Sequence, residues 1–313
     1  MSIKPVYRKL GIALVLIVLP FVLEPINSYL VHIVISIGIF AILSLSLNLI
    51  IGYAGIFALG HAAFYGIGAY SAALLMLHFG LSFWAVLPLS ALLAGLSGLL
   101  IGSTVIRLRG DYLAIVTLGF GEIVRLIFVN WVSLTNGPMG LSSIPQPSLF
   151  GFTFHQKTEY YFLILLLLLL TLFVIHRVVH SGIGLNLMVI REDETLANSI
   201  GINPIRYKIL SFFLGAFFAG IAGAFWASYI TFISPDAFRY LDSVNILAMV
   251  IVGGIASIPG AVLGAGIMVL APELLRFVSD YRMLILGVAI VLMMIYKPTG
   301  FWGEKHRKVN FYR

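Results

Sequence analysis

Cysteine is absent from all 313 residues. This removes disulfides, thiolate nucleophiles and cysteine-based metal sites at once. Charge is scarce: Asp, Glu, Lys and Arg make up 10% of the chain, against roughly a quarter in an ordinary soluble domain. No G-x-x-x-x-G-K-[ST] occurs, so this chain carries no phosphate cradle and hydrolyses no nucleotide. Histidine and carboxylate spacings typical of metal sites are missing, and nothing arranges a nucleophile beside a base. The composition speaks against an enzyme and implies no cofactor.

What is present is apolar. Hydrophobic residues are 61% of the sequence and the mean hydropathy is +1.08. They come in long runs rather than at period 2 or 3.6, and several runs exceed the roughly 20 residues that cross a bilayer. Barrel strands would give short alternating segments, so the expectation is an all-α, polytopic transmembrane bundle forming a single domain over 1–313. Ten membrane segments are read at about 10–29, 31–51, 55–77, 83–106, 111–130, 159–178, 209–230, 241–257, 260–275 and 283–297. The basic start, "MSIKPVYRKL", leads into a run interrupted by Pro20, Glu24 and Pro25 with no small-x-small cleavage site, which reads as an uncleaved first helix.

The net charge of +7 fits loop charge on one side of a membrane better than nucleic-acid binding. With the N-terminus inside, Lys157, Arg239, Arg276 and Arg282 fall outside and Arg125 lies within a segment. The other 14 of the 19 Lys and Arg residues are cytoplasmic, among them Arg107, Arg109, Arg191, Arg206 and Lys208. Both termini are therefore expected in the cytoplasm.

Three stretches stand out. In "LSLNLIIGYAGIFALGHAAFYGIGAYSAALL", residues 45–75, the glycines at 52, 55, 60, 66 and 68 speak against a uniform helix. Such interruptions survive in a membrane only where neighbours or a polar cavity serve the freed backbone. A second interrupted region, "VIVGGIASIPGAVLGAGIMVLAPELL", occupies 250–275, and paired interruptions in two halves of a transporter mark a substrate route. Close packing alone would also explain the glycines. These regions make Asn48, Gly52, Gly55, His61, Gly253 and Gly254 candidate path residues. A lone histidine such as His61 is more often packed than functional.

In "RLRGDYLAIVTLGFGEIVRLIF", residues 107–128, Glu122 and Arg125 share a helix face at i,i+3. Charges at membrane depth pair or point to a pathway, so both join the candidates. The third stretch, "REDETLANSIGINPIRYK" at 191–208, concentrates charge in a loop at about 180–208. Its acidic residues at 192–194 suit a helix N-terminus. Leu196, Ala197 and Ile200 give a short apolar stripe, while Gly201 and Pro204 end the helix. Such a helix outside the membrane needs a protein partner or the membrane surface for its stripe, or else is a solvated connector.

Together, "SLNLIIGYAGIFALGHAAFYGIGAY", "LRGDYLAIVTLGFGEIVRL", "TNGPMGLSSIP", "REDETLANSIGINPIRYK" and "YKPTGFWG" resemble, in order over 45–303, the branched-chain amino acid permease family of ABC importers. They are closer to its LivM than its LivH branch. The resemblance implies an ABC importer permease in the cytoplasmic (inner) membrane of a prokaryote. Its partners would be two cytoplasmic ATPases, a sister permease and an extracytoplasmic substrate-binding protein, with lipid around it and no nucleic acid. It also implies a coupling helix in the 191–208 loop, with Glu194, Ala197 and Gly201 matching an EAA-type signature. Thr195 and Leu196 stand where that signature has small residues. Urea or short-amide importers share these motifs. A stand-alone ion-coupled carrier, using Glu122, His61 and Asp111 for protons, would need no docking helix.

The charge asymmetry makes a topological prediction, and the absence of native cysteine makes labelling clean. Ser143→Cys is expected to react with an impermeant thiol reagent on intact cells. Labelling only after permeabilisation would invert the assignment.

Overall fold

The computed structural model describes residues 17–25, 27–105, 108, 110–149, 152–275, 281–297 and 299–303. Arg107, Arg109, Arg276, the start of the first segment and the basic tail beyond 303 lie outside them. The described residues are predominantly helical. Residues 17–25 are helical, and Asn27 then caps α1 (Ser28–Asn48) through the N–H of Tyr29. The remaining α-helices of six residues or more are α2 (His61–Phe79), α3 (Phe83–Val105), α4 (Asp111–Asn130), α5 (Lys157–Val179), α6 (Gly182–Glu192), α7 (Glu194–Ser199), α8 (Pro204–Ile230), α9 (Tyr240–Gly253), α10 (Ile258–Leu274) and α11 (Arg282–Tyr296).

Six of these are long and apolar enough to cross a membrane: α1 with the turn that continues it to Tyr53, then α2, α3, α4, α5 and α8. α9 and α10 are shorter, at 14 and 17 residues. Boundaries differ from the sequence reading where backbone chemistry intervenes. α2 begins at His61 rather than 55 because residues 54–60 are not helical. α8 begins at Pro204 rather than 209, since proline fits the first turn, where its missing N–H is no loss. Two minor antiparallel ladders join the helices: Leu141–Ser142 pairs with Phe232–Ile233, and Ser148–Leu149 with Phe152–Thr153.

α1 is the central helix, its C-terminal half buried from Gly38 onward with only Phe40 partly open. It packs against α5, α8, α9 and α10, while α8 lies between α2 and α3. Small residues set these distances. A Cβ on Gly68 would stand 2.4 Å from Gly220 Cα, and one on Gly98 2.6 Å from the Phe212 carbonyl. In lipid the gain comes from such close packing, because tails are as apolar as leucine.

Helix ends gather into two layers. At one end Lys157 donates to the Ser28 carbonyl, Tyr29 to Glu273 and Trp84 to the Ser148 carbonyl. That layer brings the starts of α1, α3 and α5 to the end of α10 and the loop around Ser148. The opposite layer holds the end of α1, the α6–α7 segment, the start of α8 and the α9–α10 turn. There the N–H groups of Phe301 and Trp302 bond the carbonyls of Val252 and Gly253, each at 2.9 Å. The "YKPTGFWG" ending thus serves carbonyls that the end of α9 would leave without partners.

Candidate functional site

The two interrupted regions meet. Past Asn48 the helix widens: the Ala54 N–H reaches back five residues to Leu49, and that of Ile56 six residues to Ile50. Such bulges free backbone groups and occur often at functional positions. Asn48 is buried, and its side chain spans to the α9–α10 turn. Its carbonyl oxygen accepts from the Ala256 N–H at 2.9 Å, and its amide donates to the Ser257 carbonyl at 3.1 Å. Ala256 itself holds φ +61°, a region an L-residue adopts at a cost. Gly52 must be glycine, since a Cβ would lie 2.2 Å from Asn48 Oδ1 and 2.6 Å from the Ala256 nitrogen.

The irregular stretch 54–60 is likewise served by neighbours. Leu59 N–H donates to Thr117 Oγ1 on α4, and Ala62 N–H to Ser243 Oγ on α9. Ser46 Oγ donates to the Leu43 carbonyl and therefore accepts from His61 Nε2 at 2.7 Å. That bond places the imidazole proton on Nε2, and Nδ1 has no partner among the described residues. His61 anchors the start of α2. Gly55 (φ +69°) lies against the stem of Arg191, whose Nη1 donates to the Gly52 carbonyl at 2.6 Å. Gly253 and Gly254 face backbone as well: Cβ atoms there would meet the Gly260 carbonyl and the Gly303 nitrogen. Six of the eight candidate path residues thus form the packed joint between the interruptions.

Glu122 and Arg125 lie elsewhere, on α4, whose face carrying Ile115, Ile123 and Ile127 is exposed. They pair as the i,i+3 spacing predicts, with Arg125 Nη2 2.5 Å and Nε 2.9 Å from Glu122 Oε1. Their side chains keep 22% and 40% of their surface open (Arg125 and Glu122), so the bundle does not seal them. They border an open cavity of about 420 Å³ with Arg239, Tyr240 and Leu241. Arg239 pairs with Asp236 at 2.7 Å.

In the 191–208 segment, Asp193 caps α7 by accepting from the N–H groups of Thr195 (2.8 Å) and Leu196 (3.0 Å). Those two backbone bonds hold its carboxyl below the usual range. A depressed carboxylate contributes its stability above the unfolded pKa and loses it as pH falls through the folded value, so this cap is intact at neutral pH. Gly201 follows at φ +84°. The expected stripe is divided: Ala197 is fully buried, whereas Leu196 and Ile200 are 57% and 62% exposed, four residues apart. Glu194 does not point away from the protein but pairs with Lys208 on α8 at 2.9 Å. A shallow cavity of about 330 Å³, lined by Glu194, Asn198 and residues 201–205, opens beside them.

Sequence reasoning missed Arg191, Thr117, Ser243 and Ser257. Arg191, Thr117 and Ser243 are polar residues beside the 45–75 glycine stretch in space but distant from it in sequence, and Ser257 lies within the second glycine stretch but meets the first only through Asn48.

Six apolar helices of membrane-spanning length among the described residues, one of them interrupted past Asn48 and joined there to the turn between the shorter α9 and α10, are the architecture of a multi-pass membrane protein. The family model described as the permease component of branched-chain amino acid transport systems matches residues 29–294. The high-affinity branched-chain amino acid transport system permease protein LivM of Salmonella typhimurium is 41% identical over 285 residues, covering 84% of this chain and 67% of the relative; its Escherichia coli counterpart gives the same values. A probable LivM of Methanocaldococcus jannaschii is 27% identical over 86% of the chain and 91% of the relative. LivH of Salmonella typhimurium is more distant, at 25% over 85% and 91%. No solved structure matches the chain. The chain belongs to the branched-chain amino acid ABC transport permease family.

The ion pair offers a direct test. A lone charge at membrane depth costs about 2.5–3.5 kcal/mol on insertion scales. Glu122→Gln is therefore expected to lower the yield of folded protein and Glu122→Gln with Arg125→Gln to restore it. Uptake that stays impaired in the double variant assigns the pair to the solute path, and full recovery makes it structural. Normal yield in both single variants would contradict the pairing.

Proposed function

We propose that this chain forms part of the transmembrane path of an ATP-driven importer for branched-chain amino acids. Hydrolysis takes place on two cytoplasmic ATPase subunits, and the path is shared with a sister permease and loaded by an extracytoplasmic binding protein. The protein sits in the cytoplasmic membrane of a prokaryote, crossing it ten times with both termini inside. The layering of helix ends supports two opposite faces, and the excess of Lys and Arg on one of them supports that face being cytoplasmic. The described residues 131–149 and 152–156 lie at one end, and the α6–α7 segment and the 299–303 ending at the other.

The observation that carries the reading is α7. Leu196 on α7 and Ile200, the residue that caps its end, expose an apolar pair four residues apart, held in place by the Asp193 cap, the buried Ala197 and the Glu194–Lys208 ion pair. A connector would have no reason to hold two large apolar side chains open on a rigid short helix. A docking surface would. Glu194, Ala197 and Gly201 then act by shaping the helix: an ion pair, a packed foot and a left-handed end. The cavity bounded by Glu122, Arg125, Arg239, Tyr240 and Leu241 supports a solute path on the exposed side of α4. Charged groups accommodate the two ends of a zwitterion, and Tyr240 and Leu241 an apolar side chain. That favours an amino acid over urea or a short amide. An ion-coupled carrier would leave the α7 pair unexplained.

Because Ala197 is buried, a cross-linker belongs at position 196 or 200. Leu196→Cys is expected to cross-link to a co-expressed ATPase subunit of the transporter. Burial of each such side chain contributes about 1.5–3 kcal/mol. Leu196→Asp with Ile200→Asp should therefore weaken ATPase association at least about a hundredfold and abolish uptake. No cross-link, with uptake intact in the double variant, would contradict docking at α7.

A further inference from the structure

We propose that Arg191 is the positioning residue that carries displacement of α7 to the joint between the interrupted segments. This rests on α7 being the ATPase-docking helix. Only Asp193 separates α6 from α7, and its N–H is held by the Val189 carbonyl while its side chain caps α7. A push on α7 therefore reaches residue 191 without slack. Tertiary contacts then carry it inward, because Arg191 is the last basic residue of α6 and its guanidinium crosses to the end of α1.

Its target there is specific. In a continuing helix the Gly52 carbonyl would accept from the Ile56 N–H, but Ile56 bonds Ile50 instead. Arg191 Nη1 supplies a donor at 2.6 Å, and Nη2 lies 3.3 Å from Glu192 Oε1. The planar fork serves both partners at once, which a lysine ammonium on its flexible stem does not reproduce. The stem is confined as well: a Cβ on Gly55 would lie 2.6 Å from Arg191 Cγ and 3.3 Å from its Cα.

Beyond Gly52 there is no give. Its Cα stands so close to Asn48 Oδ1 and to the Ala256 nitrogen that a single added carbon would overlap both. Asn48 holds Ala256 in its left-handed conformation and bonds Ser257, the cap of α10. Movement of Arg191 is therefore handed to the α9–α10 turn through two close contacts. The cavity of about 250 Å³ bounded by 54–57, Leu108, Leu113, Arg191, Glu194 and Lys208 leaves space on one side of this strut for it to move.

The test uses the complete transporter, both permeases and ATPases, in proteoliposomes with loaded binding protein. Five quantities are measured for Arg191→Met and Arg191→Lys: complex yield, cross-linking from a cysteine at 196 to the ATPase, ATP hydrolysis, uptake per ATP, and the effect of nucleotide on thiol labelling of Ala256→Cys. For Arg191→Met we expect wild-type yield, cross-linking and hydrolysis, with uptake per ATP reduced about tenfold or more. Nucleotide should also no longer change the thiol labelling of Ala256→Cys. Arg191→Lys should recover part of the uptake. Wild-type uptake per ATP in Arg191→Met would overturn the proposal. Loss of the complex in both variants would also do so, making Arg191 a folding residue. An absent cross-link with Arg191 intact would instead mark failure of the docking reading, and the proposal would fall with it.

Discussion

The structure depends on one side chain that closes two broken helices against each other. Asn48 is 208 residues from Ala256 and buried beside it, with one donor and one acceptor spent on the α9–α10 turn. In a bilayer, backbone that leaves a helix has no water to turn to, and each orphaned group costs several kcal/mol. A carboxamide can answer an N–H and a carbonyl together. Asn48 thus makes it possible for α1 and the α9–α10 turn to be irregular at the same level of the bundle.

The remainder of the joint follows from that constraint. Gly52 is a glycine because the Asn48 amide and the Ala256 backbone occupy the space of a side chain. Ser46, Thr117 and Ser243 each supply one hydrogen-bonding oxygen to the 54–62 segment or to His61. Arg191 supplies the last donor from outside the apolar interior. The irregular backbone is consequently over-determined by side chains from α1, α4, α6 and α9. Any motion that opens it must exchange those bonds as a set, which favours discrete arrangements over gradual deformation. On the proposed function, such an element would stand between the α7 docking surface and the solute path.

Much of this was legible in the sequence, and what was not has a physical cause. Long apolar runs gave the helices, and the glycine clusters marked where two of them break. The i,i+3 spacing of Glu122 and Arg125, and the acidic start of α7, were readable because helix neighbours are close in sequence. The partner of Asn48 was not, since hydropathy carries no information about which distant turn lies opposite. Arg191 read as loop charge because nothing local shows that a guanidinium three carbons from its backbone reaches Gly52. Ala197 was grouped with Leu196 and Ile200 by polarity alone; burial against the rest of the chain separates them. The start of α2 was placed early because residues 55–60 are as apolar as the helix that follows.

The measurement that bears most directly on this account is hydrogen exchange of the 252–257 amides in Asn48→Leu, a substitution of similar size that removes both hydrogen bonds. Each buried group left unpaired costs about 1–3 kcal/mol. The account predicts exchange faster by about tenfold or more at the α9–α10 turn and the 49–56 segment, with the α2–α8 contact still protected. Unchanged protection at 252–257 in a folded Asn48→Leu protein would contradict it.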